Sequence, residues 1–341
     1  MMVESYRVAF IGCGGRARGH AGGVQADERC ETVALVDVRR DAAEAFNADY
    51  GFTGALYTDY HEMLALEKPE IVISCLWTPL HLPVFQACAE AGVRAVLSEK
   101  PMAPTWGACR EMARIAENTG CQLTFCHQRR FAPGNRAIRQ WVAEGLLGDI
   151  ERLDLYSPMN LLDCGTHTID QALNYNQDIP VKWVLGAVDG REPINWFNVS
   201  AESMAIGTLV FANGVRAVLQ VGGPNMDLWG GVRVIGSEGF ITADWGGVIS
   251  RAVLYRDPAW QPETFASEDD EQMKAAIRNA VDCLISGAEP VLSYQKALRA
   301  SEVIFALYES VRQHARIDLP LEGVTDNPFI TMLERGDFSR V

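Results

Sequence analysis

The stretch F10-I-G-C-G-G-R-A-R-G-H20 follows the apolar run Y6-R-V-A and holds four glycines and two arginines in eleven residues. Ordered glycine costs backbone entropy, so a cluster of it marks a place where a turn is tight or where something must approach the main chain closely. Gly12-x-Gly14-x-x-Ala17 lies between a predicted strand and a predicted helix, and Asp37 ends the next predicted strand 20 positions after Ala17. In that setting the first glycine permits the turn, the second admits a pyrophosphate to the main-chain N–H groups, and a small third residue lets helix pack on strand. The free N–H groups and positive end of the helix then face the anion. The pattern predicts a dinucleotide site. A carboxylate placed to bond a ribose 2′-OH favours NAD over NADP, because a 2′-phosphate at about 4 Å would cost about 4 kcal/mol at an effective dielectric near 20. Arg39 and Arg40 pull the other way.

The remainder of the first 126 residues repeats the alternation. TVALVDV, EIVISCLW, VRAVLSEKP and CQLTFCH are β-rich, and amphipathic helical stretches closed by Gly51, Gly92 and Gly120 separate them. Continuous Val/Ile/Leu runs between helices are what a parallel sheet covered on both faces requires. After Gln128 the pattern changes to hairpin-like runs, among them SMAIGTLVFANG, VRAVLQVGG and VRVIGSEGFITAD, with turns at Asn213-Gly214 and Glu238-Gly239. Two helices, Asp270–Ser286 and Tyr294–Ala315, follow. The expected architecture is a Rossmann domain over 1–126, then an α+β domain over 127–341 with a large, mainly antiparallel open sheet for substrate binding and oligomerisation. Strands apolar on both sides imply a sheet face covered by another subunit, in a homodimer or homotetramer.

A formal charge of −14 argues against nucleic acid and anionic membrane surfaces as partners. Nine scattered cysteines with no CxxC pair suggest neither a disulfide framework nor a zinc knuckle, and fit a reducing cytoplasm. The start of the chain lacks a signal-peptide pattern, and no apolar run approaches the roughly 18 residues that span a bilayer.

Five segments in order, GCGGRARGH, Thr78–His81 (TPLH), Ser98–Ala103 (SEKPMA), Gln128–Pro133 (QRRFAP) and Asp163–Asp170 (DCGTHTID), make the chain resemble the Gfo/Idh/MocA oxidoreductases. That family includes glucose–fructose oxidoreductase and inositol dehydrogenases. The resemblance implies a catalytic set of Lys100, Asp163 and His167. It also implies cofactor contacts from Gly12, Cys13, Gly14, Gly15, Arg16, Ala17, Asp37, Arg39, Trp77, Thr78, Pro79, His81, Glu99, Lys100 and Gln128.

The residue chemistry agrees. Glu99-Lys100-Pro101 sits at the carboxyl end of a predicted strand, where open α/β sheets bind ligands. Asp163, His167 and Asp170, spaced by four and three, share one face of a helix, for which Thr166 is the expected N-cap. Oxidising an alcohol requires a base. Lys100 would need its pKa lowered by about 3 units, roughly 4 kcal/mol, whereas an imidazole near pKa 6.5 is ready. His167 is therefore the expected base, Asp163 a substrate acceptor or His orienter, Lys100 a cationic donor to substrate oxygen and nicotinamide ribose, and Asp170 structural. No metal site is expected.

The implied activity is hydride transfer between nicotinamide and a hydroxyl carbon of a sugar, sugar derivative or cyclitol. The alternative is a glycosidase or lyase that retains NAD and acts by transient oxidation and elimination; a non-catalytic regulator is a third class, disfavoured by the intact catalytic set. Two departures from the family bear on substrate. Only PMNLL separates Ser157 from Asp163, and Pro83 stands where relatives often carry His. The missing pocket wall is expected from the GGPNMDLWGG loop, the C-terminal tail or a neighbouring subunit, with Trp183, Trp196, Trp229, Trp245 and Trp260 as candidates for stacking on a sugar ring.

Overall fold

The computed structural model describes residues 5–223, 230–266 and 268–339. The chain divides into two compact units. The first runs through Ala103, resumes over Ala108–Gln128 and takes the chain back over Asp269–Ala297; the second holds Pro104–Gly107, Arg129–Glu268 and the chain from Leu298 onward.

In the first unit the strands β1 (Tyr6–Ile11), β2 (Cys30–Val36), β3 (Ala55–Tyr57), β4 (Ile71–Ser74), β5 (Ala95–Ser98) and β6 (Gln122–Phe125) alternate with helices α1 (Gly15–Gln25), α2 (Arg40–Tyr50), α3 (Tyr60–Glu67), α4 (His81–Glu90) and α5 (Trp106–Thr119). All strand pairs are parallel and the order is β3-β2-β1-β4-β5-β6, the doubly wound arrangement whose ligand crevice lies outside the strand carboxyl ends at the β1/β4 reversal. The central strands β1, β4 and β5 are buried on both faces, as their unbroken apolar runs require; Val8, Phe10, Ile73 and Leu97 share one core with Phe46 of α2.

The second unit contains α6 (Pro133–Ala143), β7 (Ile150–Ser157), α7 (Thr166–Tyr175), β8 (Val181–Asp189), β9 (Ile194–Trp196), β10 (Val199–Ala201), β11 (Met204–Phe211), β12 (Arg216–Gly222), β13 (Gly231–Gly236), β14 (Gly239–Asp244) and β15 (Ile249–Leu254). Helix α8 (Asp269–Ser286) follows, then α9 (Tyr294–Gln313), β16 (Ile317–Asp318) and α10 (Pro328–Arg335). Eight strands form one sheet in the order β15-β14-β13-β7-β12-β11-β8-β16. Only β7 and β12 pair in parallel, and β9 and β10 form a separate hairpin.

The single cut expected at 126/127 is not where compactness divides the chain. Helix α8, read as part of the second domain, belongs to the first unit, because Ile277, Ala280 and Val281 fill the same core as Val8 and Phe10. Removing an aliphatic side chain of that size from water is worth about 2 kcal/mol.

Along β12 buried and exposed residues alternate. Leu185 and Val218 both stand opposite Thr208, so the three share one face across β8, β11 and β12. Leu185, Ile206 and Val218 are each about half exposed. The described cysteines are joined by no disulfide to one another, and no described helix is long and apolar enough to cross a membrane.

Candidate active site

In the first unit β1 delivers the chain to Gly12, whose φ of +90° is open to glycine alone at this site. A Cβ there would lie 2.4 Å from the Cys75 carbonyl oxygen. Gly14 ends the turn as the N-cap of α1 without a side-chain cap, and a Cβ on Gly14 or Gly15 would meet no atom within 4 Å. The first-turn N–H groups of α1 are thus uncapped beneath an open surface, which fits a pyrophosphate. Ala17 is fully buried, packing helix on strand as expected.

The Asp37 carboxylate takes the Cys13 N–H on Oδ2 and the Arg39 N–H on Oδ1, both at 2.9 Å. It therefore stands over the glycine turn, where a ribose would lie. Cys13 spends its own N–H on Asp37 and buries its thiol, which burial pushes up to about 12; its contribution is to the turn.

The Glu99-Lys100-Pro101 segment leaves β5 with a cis Lys100–Pro101 bond. Lys100 is half-buried. Glu99 is 4% exposed and bonds His20 Nε2 at 2.9 Å and Arg16 at 3.2 Å. Burial opposes its charge, but His20, Arg16 and Lys100 hold the carboxyl down at about 2. The Cys126 thiol joins the group, so nitrogen, oxygen and sulfur donors lie within 4.8 Å of one another. Burial keeps that thiol protonated, and Arg16 already neutralises the carboxylate. The cluster is an ion-pair network, and it directs Arg16 and Glu99 at each other.

The resemblance places Trp77, Thr78, Pro79 and His81 against the cofactor. Trp77 is half exposed and Thr78 is buried at the start of a 3-10 turn, Thr78–Leu80. His81 serves differently. Its Nδ1 lies 3.0 Å from Pro101 O and its Nε2 3.1 Å from Leu76 O, so it ties the 76–81 turn to the segment after Lys100; burial lowers its pKa. Gln128 is buried and accepts from the Cys126 thiol.

In the second unit β7 ends at Ser157, and three residues later the chain enters a π turn, Leu161–Gly165, which carries Asp163 and runs straight into α7. Thr166 is therefore not the N-cap. The chain is already helical before it, and the capping oxygen comes from Asn160, whose Oδ1 accepts the Asp163 N–H at 2.8 Å. The turn brings Asp163, half-buried, and His167, 8% exposed, onto one continuous helical path.

Helix α7 lies over β7 and β13, and all ten of its residues are buried although Thr166, His167, Thr168, Asp170, Gln171 and Asn174 are polar. Buried polar groups need partners. Asp170 receives Arg130 bidentately at 2.8 Å, and Arg130 also reaches Asp178 at 2.7 Å. Asp170 is thus structural, as expected, and Arg130 is its anchor. Trp245 lies beside His167, with ring centroids 6.1 Å apart, and is oriented by its Nε1–H donating to Thr168 Oγ1 at 2.8 Å. Of the other tryptophans proposed for sugar stacking, Trp183 lies under Arg316, Trp260 packs edge-on against Trp141, and Trp196 is buried. Trp229 lies outside the described residues, as does most of the GGPNMDLWGG loop. A groove of about 830 Å³ opens at this end of the sheet between Pro158, Met159, Asp189, Arg191, Ser203 and Gly222.

The sequence left Asn160, Glu202, Arg130 and the specific choice of Trp245 unassigned. Asn160 alone carried a local signal, an Asx residue three positions before Asp163.

A parallel sheet with an uncapped glycine turn and a carboxylate at the end of β2 defines an NAD-binding Rossmann oxidoreductase. Residues 6–127 match the Gfo/Idh/MocA model, described as an oxidoreductase family with an NAD-binding Rossmann fold. The chain is 26% identical to D-apiose dehydrogenase of Paraburkholderia graminis, covering 99% of this chain and 96% of that one. It is 24% identical to D-glucoside 3-dehydrogenase of Escherichia coli, over 94% and 99% of the two chains. The fold matches that of levoglucosan dehydrogenase in complex with NADH and levoglucosan at a TM-score of 0.79 and 16% identity, covering 93% of this chain and all of that one.

Proposed function

We propose that this chain is an NAD-dependent dehydrogenase of a hydroxyl carbon in a sugar, sugar derivative or cyclitol, with His167 as its base. The observation that carries the reading is the second-unit turn. It holds a half-buried carboxylate and a nearly buried imidazole on one helical path, beside an indole oriented by Thr168.

Bound NAD supplies the acceptor for the hydrogen leaving carbon. The residues that would hold it are the α1 first turn, Asp37 at the ribose, the Trp77–Pro79 turn and the segment around Glu99, Lys100 and Gln128. His167 Nδ1 is fully buried, so the substrate hydroxyl proton passes to Nε2. Asp163, fixed through its N–H by Asn160, accepts a hydrogen bond from the substrate. Trp245 offers an apolar face to a ring. Lys100 donates to substrate oxygen, an interaction that strengthens as the hydroxyl loses its proton. The apolar face of Leu185, Ile206 and Val218 is read as the contact with a second copy of the chain.

The test is a turnover assay, following NADH absorbance with NAD⁺ and a panel of aldoses, glycosides and cyclitols. At least one substrate turns over in the wild type and is lost in His167→Asn. No turnover across the panel sinks the reading.

A further inference from the structure

Glu202 lies in the two-residue link between β10 and β11 and is completely buried. A carboxyl group deprived of water normally meets a cation. Glu202 meets none among the described residues. Its Oε1 accepts the backbone N–H of Leu161 at 2.6 Å, and its Oε2 accepts the Tyr308 hydroxyl at 2.5 Å. Tyr308, from α9, is the titratable group that faces it; the turn at 161 offers a peptide N–H and no charge, and the link itself adds only the backbone N–H of Glu202.

Leu161 is the first residue of the π turn that carries Asp163. The chain arrives there under constraint. Met159 has a φ of +65°, and a Cβ on Gly222 would lie 2.3 Å from both the Met159 and the Ser203 carbonyl oxygens. Only residues 158–160 join β7 to the turn, so the bond from Leu161 to Glu202 anchors its entrance from a distant strand link, beside the local cap that Asn160 gives Asp163.

We propose that Glu202 is a positioning residue: its carboxyl grips the Leu161 peptide and so sets the turn that presents Asp163 and leads into His167, and its proton governs that grip separately from the proton on His167. This rests on the catalytic assignment of Asp163 and His167 made above. Burial without a compensating cation raises the carboxyl to about 7. Above that pH the carboxylate accepts both donors as charge-assisted bonds, roughly twice as strong as neutral ones. Below it, the acid accepts the Leu161 N–H through a neutral carbonyl and turns its own proton toward Tyr308. The turn is gripped more firmly in the ionised state.

The experiment measures kcat and KM against pH for the full chain and for Glu202→Gln, Tyr308→Phe and His167→Asn, with NADH affinity by fluorescence. Glu202→Gln keeps a neutral acceptor for Leu161, so NADH affinity and KM hold while kcat above neutrality falls roughly fivefold, the worth of one charge-assisted bond over a neutral one. Its kcat profile also loses the inflection near 7. Tyr308→Phe removes a donor that lowers the Glu202 pKa, so its inflection moves to higher pH. If His167→Asn is inactive while Glu202→Gln and Tyr308→Phe both follow the wild-type profile, the positioning role is wrong and the catalytic assignment stands. If His167→Asn turns over like wild type, it is the catalytic assignment that fails. Should Glu202→Gln not fold, an unshifted Tyr308→Phe profile alone overturns the proposal.

Discussion

Glu99 and Glu202 are both buried carboxyl groups, one in each unit, each a short step from a residue assigned to the chemistry. Glu99 directly precedes Lys100 and is held at about 2 by His20, Arg16 and Lys100. Glu202 anchors the entrance to the Asp163 turn and is raised to about 7 with only neutral donors beside it. Burial is common to the two, so it does not decide their charge; the partners do. The first unit keeps a fixed anion at the end of β5, while the second keeps a carboxyl whose charge changes near neutrality.

The largest effect that tests the contrast is catalytic. Replacing His167 with Asn is expected to lower kcat by roughly 10²- to 10⁴-fold, the usual contribution of a positioned base, with NADH affinity preserved in a fluorescence titration. Lost NADH affinity would mean that the turn serves binding instead.

Next is the ion network. Glu99→Leu leaves Arg16 and His20 facing an apolar group, and urea unfolding at neutral pH should show a loss of about 2–3 kcal/mol; breaking a buried pair costs more than this, but the Arg16 side chain is more than half exposed. The sign with pH follows from the depressed value. The Glu99 contribution is complete above the ordinary carboxylate pKa of 4.5 and is lost as pH falls toward 2. Glu202 has the opposite sign. A carboxyl raised from 4.5 to about 7 leaves stability intact below 4.5 and erodes it as pH rises through 7, by up to about 3 kcal/mol. Glu202→Gln should flatten that decline, gaining on the wild type at about pH 8 and not at about pH 4.5. Identical slopes in the two variants would erase the distinction between the carboxyls.

The smallest effect on folding is expected at Val218. On a half-exposed strand face, Val218→Asp should change stability by about 0.5 kcal/mol or less, yet sedimentation should show a smaller particle if that face pairs two copies. An unchanged sedimentation coefficient removes the pairing.

Much of the first unit was legible. A continuous apolar run followed by Gly12, Gly14 and Ala17 dictates a buried strand and a tight entry into a helix, because strand and helix periods and glycine torsions are local properties. The DCGTHTID segment was legible as a helix carrying Asp163 and His167. Its π turn was not, since an extra residue per turn leaves no compositional mark, and the cap therefore fell on Thr166 instead of Asn160. His81 and Cys13 read as cofactor contacts, but the nearby Leu76 carbonyl and, from farther along the chain, the Pro101 carbonyl and the Asp37 carboxylate claim their polar atoms. Helix α8 displayed an apolar face without stating what it would meet.

Sequence alone determined the strand–helix alternation, the glycine turn, and the residue types able to handle a proton, because each depends on neighbours within one or two turns of chain. Tertiary structure alone decided that α8 completes the first core, that Trp245 is the indole beside His167, and that Glu202 rests against neutral donors while Glu99 rests against cations. Those outcomes depend on pairs far apart in sequence, such as Leu161 with Glu202, and Glu202 with Tyr308. A carboxyl group acquires its charge from such partners, and a linear order of residues does not contain them.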